Sequence, residues 1–332
     1  MSLPDPQIPL SNTDARNAFS LILDGNCEPE PIKAFLITLA ARGETAVEIT
    51  AAASEMRARM ITVKAPANAI DVCGTGGDGS HSLNISTATA LVVAACGIPM
   101  AKHGNRAASS KSGAADTLEV LGLDLAKAAN NAEQNLREIG IAFFFAPNHH
   151  PALGPLAPIR KEIAQNSGSR TIFNLLGPLC NPASVKRQLI GVASPDLVET
   201  YAEAVAGLGY DKAMIVSGEE GLDELSISAP SKLAVLNNGK ITYSRIAPED
   251  AGLPRHDADS IKGGDAEFNA DALRKLLMDE PSAYRDAVLL NSAAALMMAG
   301  EVESWEAGVE EAAEALDKGL ANAMLDCWIA NQ

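Results

Sequence analysis

The hydrophobic pattern of the chain changes near Pro66, and this change constrains the fold more than any other feature. Between residues 11 and 60, apolar side chains recur at helical spacing, as at Ile32, Phe35 and Leu39, without strand-like alternation. Beyond Pro66, short apolar segments alternate with helical ones. The sequence therefore predicts a small helical unit followed by a larger α/β unit.

Several short segments after this change have the composition of buried strands. They span residues 70–73, 98–101, 141–145, 188–193 and 212–216. Helical patterns lie between or after them, at residues 86–95, 114–121, 292–299 and 307–325. Strands that alternate with helices pair mostly in parallel, and the helices cover both faces of the sheet. We therefore predict an α/β fold with a mostly parallel central sheet and flanking helices, plus a small all-helical domain.

The predicted domains are not continuous in sequence. Proline-rich residues 151–158 interrupt the alternation, and we expect the helical stretch that follows them to pack back on the N-terminal helices. We therefore assign residues 1–66, with about 151–168, to the helical domain. The larger α/β domain takes residues 67–150 and 169–332.

Composition excludes several classes of partner. The chain has 26 basic and 42 acidic side chains, a net charge of 26 − 42 = −16, which repels nucleic acids and anionic membranes. Its five cysteines form no CxxC pair, so we expect neither a zinc site nor a disulfide framework. The most apolar stretch, residues 88–101, is too short to span a bilayer. We expect a cytoplasmic protein with no nucleic-acid or membrane partner.

A glycine-rich segment, Gly74-Thr75-Gly76-Gly77-Asp78, follows the first predicted strand. Its spacing fits GxGxxG, but a dinucleotide fold also needs an acidic residue roughly 20 positions further on, where this chain has a basic segment. What remains is a loop whose amides can converge on an anion. Residues 84–87 add hydroxyl groups at the start of the next helix, where the helix dipole favours phosphate. The segment therefore predicts a pyrophosphate site.

Two further segments follow neighbouring strands. Residues 102–110 carry two cations and two hydroxyl groups, and the carboxyl ends of parallel strands share one edge of a sheet. Residues 219–224 contain four carboxylates and end in Asp223-Glu224. Beside a pyrophosphate, such carboxylates suit Mg²⁺, which keeps water and phosphate oxygens among its ligands. We therefore predict a magnesium-dependent phosphoribosyltransferase.

These motifs together resemble the anthranilate phosphoribosyltransferase family over almost the whole chain. The matching blocks are residues 40–45, the loop 74–78, residues 84–87, 102–110, His150-Pro151, Arg160, residues 171–179 and 222–224. The resemblance implies a nucleoside-phosphorylase-type α/β domain and a homodimer formed through the helical domain. It also implies that anthranilate reacts with 5-phosphoribosyl 1-diphosphate to give phosphoribosylanthranilate and pyrophosphate, a step of tryptophan biosynthesis.

The resemblance also implies residue roles. Donor-binding residues are Gly74, Gly77, Asp78, Ser82, Asn84, Ile85, Ser86, Thr87, Lys102, His103, Gly104, Asn105, Arg106, Ala107, Ala108, Ser109, Ser110 and Ala114. Acceptor-binding residues are Gly74, Asn105, His150, Arg160, Gly177 and Pro178, and magnesium ligands are Ser86, Asp223 and Glu224. Three features depart from the family pattern: Ala114 replaces a frequent serine, Ser82 replaces a frequent threonine, and residues 164–167 resemble an insertion.

The chemistry needs positioning more than a strong base. An aromatic amine is already neutral at pH 7, and Arg160 could hold its carboxylate through a charge-assisted contact. Lys102, His103, His150 and Arg160 are therefore assigned positioning roles, with no certain catalytic base. Two alternatives stay open: a pyrimidine nucleoside phosphorylase-like enzyme, and a non-catalytic relative that binds nucleic acid, against which the net charge of −16 speaks.

Overall fold

A computed structural model describes residues 2–107, 111–168 and 170–332. The chain begins with three helices, α1 (Asn12–Leu23), α2 (Pro29–Arg42) and α3 (Ala46–Arg57). Thr45 and Glu48 form a reciprocal capping box at the start of α3, which fixes the helix boundary that the sequence predicts. The N-terminal unit is therefore helical, as predicted.

A mixed sheet of seven strands follows, with the spatial order β3-β2-β1-β4-β5-β6-β7. The strands are β1 (Ile70–Gly74), β2 (Met100–Gly104), β3 (Ile141–Phe145), β4 (Arg187–Gly191), β5 (Lys212–Gly218), β6 (Ser231–Asn237) and β7 (Lys240–Ile246). The first five pair in parallel, and β6 and β7 add an antiparallel hairpin at one edge. The prediction of a mostly parallel sheet is confirmed, but the hairpin was not predicted.

Helices cover both faces of the sheet. They are α4 (Ile85–Ala95), α5 (Ala114–Val120), α6 (Leu125–Asn130), α7 (Ala132–Glu138), α8 (Ala146–His149), α9 (Ala157–Ser167), α10 (Ile172–Leu175), α11 (Leu197–Gly207), α12 (Ala266–Leu277), α13 (Ala283–Ala299), α14 (Trp305–Asp317) and α15 (Leu320–Ala330). Short 3-10 helices lie at Pro151–Leu153, Pro178–Cys180, Pro248–Ala251 and Ala258–Ile261.

Successive strand residues face opposite cores, as the two-residue period of a strand requires. Leu189 packs among the C-terminal helices, whereas its neighbour Ile190 packs with α11 and the N-terminal helices. The helical unit thus shares a continuous apolar core with one face of the sheet.

The sequence placed the second strand too early. Predicted at residues 98–101, it begins instead at Met100, because Gly97 adopts a φ of +89° and the Ile98 N–H bonds the Val93 carbonyl to close α4. It then continues through Lys102 and His103, which pair with β3. These two residues are therefore buried strand residues rather than loop residues.

Two other predicted boundaries also differ. Predicted strand 188–193 is observed at Arg187–Gly191, and the predicted helix 307–325 is divided at Gly319, where φ is +69°. A residue with positive φ cannot continue a right-handed helix, so the helix ends there. Glycine is favoured at such a position because it has no Cβ atom.

Helix α9 packs against α2, and Lys33 forms a salt bridge of 2.9 Å to Glu162. Residues 164–167, which resemble an insertion, continue the C-terminal part of α9. The domain boundaries themselves stay a prediction. Among the described residues, no helix is long and apolar enough to cross a membrane.

Candidate active site

The glycine-rich loop and the acidic segment meet at the carboxyl edge of the sheet. A Cβ atom on Gly74 would lie 2.2 Å from Asp223 Oδ2, and one on Gly191 would lie 1.6 Å from the Asp223 carbonyl oxygen. The Gly76 N–H donates to Asp223 Oδ2 at 2.6 Å. Glycines at the ends of β1 and β4 therefore admit the Asp223 backbone and carboxylate between the two strands.

The loop itself presents unused amides. Gly76, Gly77 and Gly79 have φ values of +67°, +71° and +75°, which favour glycine. Within the described chain, no residue accepts a hydrogen bond from the N–H groups of Gly77, Asp78 or Gly79. The Asp78 carboxylate accepts from the Ser80 hydroxyl at 2.6 Å. Adjacent free amides in left-handed turns form an anion-binding concavity.

The N-terminus of α4 lies beside this loop. Asn84 Oδ1 accepts from Thr117 Oγ1 at 2.6 Å and from Asn269 Nδ2 at 2.9 Å, so its side-chain amide is held by two neighbouring segments. Ile85 and Thr87 are buried, and the Thr87 hydroxyl has no hydrogen-bond partner among the described residues. The Ile85 N–H already bonds the Leu83 carbonyl.

Asp223 and Glu224 sit in an environment that penalises their charge. Burial, together with the charge of Asp78, raises the pKa of Asp223 to about 7. Burial, and then the charge of Asp223, raises the pKa of Glu224 to about 8, although the Ser86 hydroxyl hydrogen-bonds this carboxylate. A cation near the pair would relieve the repulsion.

The oxygen donors of Ser86, Asp223 and Glu224 fit a hard cation such as Mg²⁺. Within the described ranges, no group of three or more His, Cys, Asp and Glu side chains could hold a metal ion by itself. The site therefore suits a Mg²⁺ ion that takes further oxygens from water and a phosphorylated substrate.

Lys102 lies beneath the site. Its side chain is buried, and Nζ donates to the Val72 carbonyl at 2.7 Å and contacts Ser86 Oγ at 3.4 Å. Its charge lowers the pKa of Glu224 against the effect of burial. Lys102 thus stabilises the carboxylates electrostatically and is not the exposed cation that the sequence suggested.

His103 and His150 form a buried pair. Their Nε2 atoms lie 3.3 Å apart, and His103 Nδ1 lies 3.1 Å from the Gly177 carbonyl oxygen. Burial lowers the pKa of His103 to about 3 and that of His150 to about 4. Both rings are therefore neutral at pH 7 and act as hydrogen-bonding groups. The adjacent Pro178 carbonyl accepts from Gln188 Nε2.

Arg160 has the character of an anion receptor. Its guanidinium lies 5.8 Å from the centre of the Phe173 ring, and burial lowers its pKa. Across the described part of the chain, Arg160 forms no salt bridge with a carboxylate. A half-buried cation without a counterion favours an anionic ligand.

Other predicted donor residues are less directly placed. Arg106 forms salt bridges with Asp116 at 2.8 Å and with Glu119 at 2.6 Å, so contact with a phosphate would require it to leave both. Asn105 is exposed. Four others contact neighbouring segments. A Cβ on Gly104 would clash with Phe143, and the Ala107 N–H donates to Asp116. Ser82 forms a β-bridge with Lys262, and Ala114 is the first residue of α5. Ala108, Ser109 and Ser110 lie outside the described residues.

Sequence reasoning missed two polar residues at the site. Asp71, an isolated acid in the apolar strand β1, accepts hydrogen bonds from the His103 N–H at 3.1 Å, Asn181 Nδ2 at 2.8 Å and Gln188 Nε2 at 3.0 Å. Its position in a buried strand was a signal that could have been used. Arg170 contacts the glycine-rich loop from a distant part of the chain, and no local pattern reveals this contact.

Two family descriptions match the chain. Residues 66–322 match the glycosyl transferase family, a/b domain, and residues 6–60 match its helical bundle domain. Anthranilate phosphoribosyltransferases from Novosphingobium aromaticivorans and Sphingopyxis alaskensis are 60% and 58% identical over 328 and 327 residues. These matches cover 99% and 98% of this chain and 98% and 97% of those proteins.

Solved structures have the same fold. The crystal structure of anthranilate phosphoribosyltransferase from Thermus thermophilus has a TM-score of 0.88 at 38% identity, covering 98% of this chain and 96% of that one. The enzyme from Saccharomyces cerevisiae in complex with PRPP and Mg has a TM-score of 0.87 at 29% identity, covering 97% and 93%. With its helical and α/β units both matched, the chain belongs to the anthranilate phosphoribosyltransferase family.

Proposed function

We propose that this protein transfers the phosphoribosyl group of 5-phosphoribosyl 1-diphosphate to anthranilate, with release of pyrophosphate, in tryptophan biosynthesis. The observation that carries the proposal is the meeting of the glycine-rich loop with Asp223 and Glu224 at the carboxyl edge of the sheet. Family membership favours this activity over a pyrimidine nucleoside phosphorylase or a nucleic-acid-binding relative.

The donor diphosphate would be held by main-chain groups. Partial positive charge would come from the amides of Gly77, Asp78 and Gly79 and from the N-terminus of α4. Among the described residues, no group accepts a hydrogen bond from those three amides. As the bond to the anomeric carbon breaks, negative charge grows on the leaving diphosphate. Preorganised amides aimed at that charge stabilise the transition state because they need not reorient during the reaction.

Mg²⁺ would bind through Ser86, Asp223 and Glu224, and when bound it supplies positive charge to the leaving diphosphate. The positive charge of the neighbouring Lys102 offsets part of the negative charge of these carboxylates. A yeast relative is described in complex with PRPP and Mg, which supports the same combination here.

The acceptor would be oriented by Arg160 and by the neutral pair His103–His150. Arg160 can donate two parallel hydrogen bonds to the anthranilate carboxylate. The two Nε2 atoms contact each other and His103 Nδ1 contacts the Gly177 carbonyl, so the pair would line the acceptor site with uncharged rings. Because the amine of anthranilate is neutral at pH 7, alignment with the anomeric carbon is the main requirement.

The assignment of residues 1–66 with about 151–168 to one domain belongs to this proposal, as do a cytoplasmic location and a homodimer formed through the helical domain. The helical unit exposes the apolar side chains of Ile8, Ile37 and Val47, which are 63%, 37% and 44% exposed. Light scattering in solution measures the oligomeric state directly.

Loss of anthranilate fluorescence tests the activity. With the phosphoribosyl donor and Mg²⁺ present, we expect the fluorescence to fall with time, and omission of either should abolish the change. Matched reactions with nucleosides and inorganic phosphate serve as the control. Turnover of nucleosides without turnover of anthranilate would refute the proposal.

A further inference from the structure

Arg170 reaches from the segment between α9 and α10 to the glycine-rich loop. Its Nη2 donates to the Gly76 carbonyl at 2.6 Å and its Nη1 to the Gly77 carbonyl at 3.4 Å. A Cβ atom on Gly77 would lie 2.9 Å from Arg170 Cζ, so the loop backbone lies directly against the guanidinium. Arg170 thus grips two consecutive peptide groups of the loop.

This grip determines where the loop amides point. A peptide group is planar and trans, so its carbonyl and the following N–H point in opposite directions. Fixing the Gly76 carbonyl therefore orients the Gly77 N–H, and fixing the Gly77 carbonyl orients the Asp78 N–H. Both N–H groups lack a hydrogen-bond acceptor elsewhere in the described ranges. The carbonyls face Arg170, which leaves the amides facing away from it.

The loop needs such a constraint. Gly76 and Gly77 both adopt positive φ, and glycine is the residue that loses most conformational freedom on being ordered. Without Arg170, the two peptide groups could rotate and present carbonyl oxygens to an anion. Arg170 forms no salt bridge with a described carboxylate, so the loop carbonyls are its principal polar partners.

Arg170 also faces the helical unit. Burial raises the pKa of Glu44, which follows α2, and the charges of Arg42 and Arg170 oppose that rise. The same guanidinium charge opposes the rise at Asp223. Arg170 therefore lies where the helical unit, the glycine-rich loop and the acidic segment come together.

We propose that Arg170 is a positioning residue for the phosphoribosyl donor, holding Gly76 and Gly77 so that the loop amides point at the diphosphate. This inference rests on the proposed function for the identity of the ligand. Arg170 acts through the loop backbone and does not itself contact the diphosphate.

Calorimetric titration with 5-phosphoribosyl 1-diphosphate and Mg²⁺ measures the effect without requiring turnover. For Arg170→Ala we expect donor affinity to fall by about 10- to 100-fold, the range for losing hydrogen bonds from a charged group. The KM for anthranilate should change by less than about 3-fold, since Arg160 is untouched. Arg137→Ala is the matched control, because Arg137 is exposed and pairs with the adjacent Glu138. It should leave both values unchanged.

Arg170→Lys separates geometry from charge. An ammonium keeps the positive charge and is expected to preserve folding, checked by circular dichroism, but it cannot reproduce the planar fork across two carbonyls. We expect Lys to restore less than half of the lost binding free energy. Full restoration would overturn the proposal in favour of a simple charge effect.

A double-mutant cycle with Gly77→Ala separates action through the loop from direct contact. Each single change disturbs the same two peptide groups, so the losses should be strongly non-additive. Additive losses, or an Arg170→Ala affinity within about 3-fold of wild type, would overturn the proposal. Failure of the wild-type protein to consume anthranilate would refute the proposed function instead, while the donor affinities would still decide the role of Arg170.

Discussion

Asp71→Asn should destabilise the protein strongly, because Asp71 is the acceptor at the centre of a buried polar network. Its carboxylate accepts from the His103 N–H, Asn181 Nδ2 and Gln188 Nε2, and Gln188 Oε1 accepts in turn from Tyr210. Tyr210 accepts from Arg57 in α3, so the network joins the helical unit to the strand that carries Lys102 and His103.

The magnitude follows from the donors left unpaired. The pKa of Asp71 is raised on balance, because burial outweighs the opposing effects of the Lys102 charge and the hydrogen-bond donors. With three donors directed at it, the ionised form fits the geometry. An asparagine would turn its NH₂ group either towards both Asn181 and Gln188, which donate to Oδ2, or towards the His103 N–H, which donates to Oδ1. Each buried donor left unsatisfied costs about 1–3 kcal/mol. The substitution also removes the negative charge of Asp71 that interacts with Lys102. In total we expect the free energy of unfolding to fall by about 3–5 kcal/mol.

Urea denaturation followed by tryptophan fluorescence measures the free energy of unfolding. Asp271→Asn is the matched control, since Asp271 is exposed and its one salt-bridge partner among the described residues is Lys275 on the same helix. The loss for this variant should stay below about 0.5 kcal/mol. A loss below about 1 kcal/mol for Asp71→Asn would show that the carboxyl is protonated in the native protein and would refute this prediction.

Two further predictions concern the substrates and the metal. Arg160→Ala should raise the KM for anthranilate by about 10- to 100-fold, through loss of a charge-assisted contact, with the donor KM within about 3-fold; equal losses in steady-state kinetics would contradict the acceptor assignment. Mg²⁺ affinity, measured by calorimetry with the donor present, should fall as the pH decreases from 8 to 6, because Mg²⁺ must displace protons from carboxylates whose pKa values are raised to about 7 and 8. Without Mg²⁺, the raised pKa values mean that the native state binds more protons than the unfolded state, so this contribution to stability is present at low pH and lost as the pH rises through 7 and 8. Comparing the stability of the wild type with that of Asp223→Asn/Glu224→Gln across this pH range isolates the contribution of the two carboxylates. Identical pH dependences in the two proteins would contradict the raised pKa values.

Local sequence signals predicted the elements that form by local rules. The capping box at Thr45 and the apolar run of β3 were placed correctly, since each depends on residues a few positions apart. The β6–β7 hairpin also had a local signal, which was overlooked: Asn238 and Gly239 both adopt positive φ, as expected of an Asn-Gly turn.

The errors at the site arose from contacts between distant residues. Lys102 appeared to be an exposed phosphate contact, but pairing with Phe143 extends β2 and buries it. The loop contact of Arg170 crosses 94 positions of sequence, and Arg106 is occupied by carboxylates of α5. The motifs therefore predicted a site for a phosphorylated ligand and Mg²⁺. The different roles of Lys102, Arg106 and Arg170 depend on tertiary contacts that the sequence does not reveal.

We propose that the glycine-rich loop and the Asp223–Glu224 pair hold a diphosphate leaving group through Mg²⁺. The most direct measurement is pyrophosphate release against Mg²⁺ concentration, for the wild-type protein and for Asp223→Asn/Glu224→Gln. We predict one pyrophosphate per anthranilate consumed in the wild type, with saturation by Mg²⁺, and a loss of that saturation in the variant. An unchanged Mg²⁺ dependence in the variant would contradict the account.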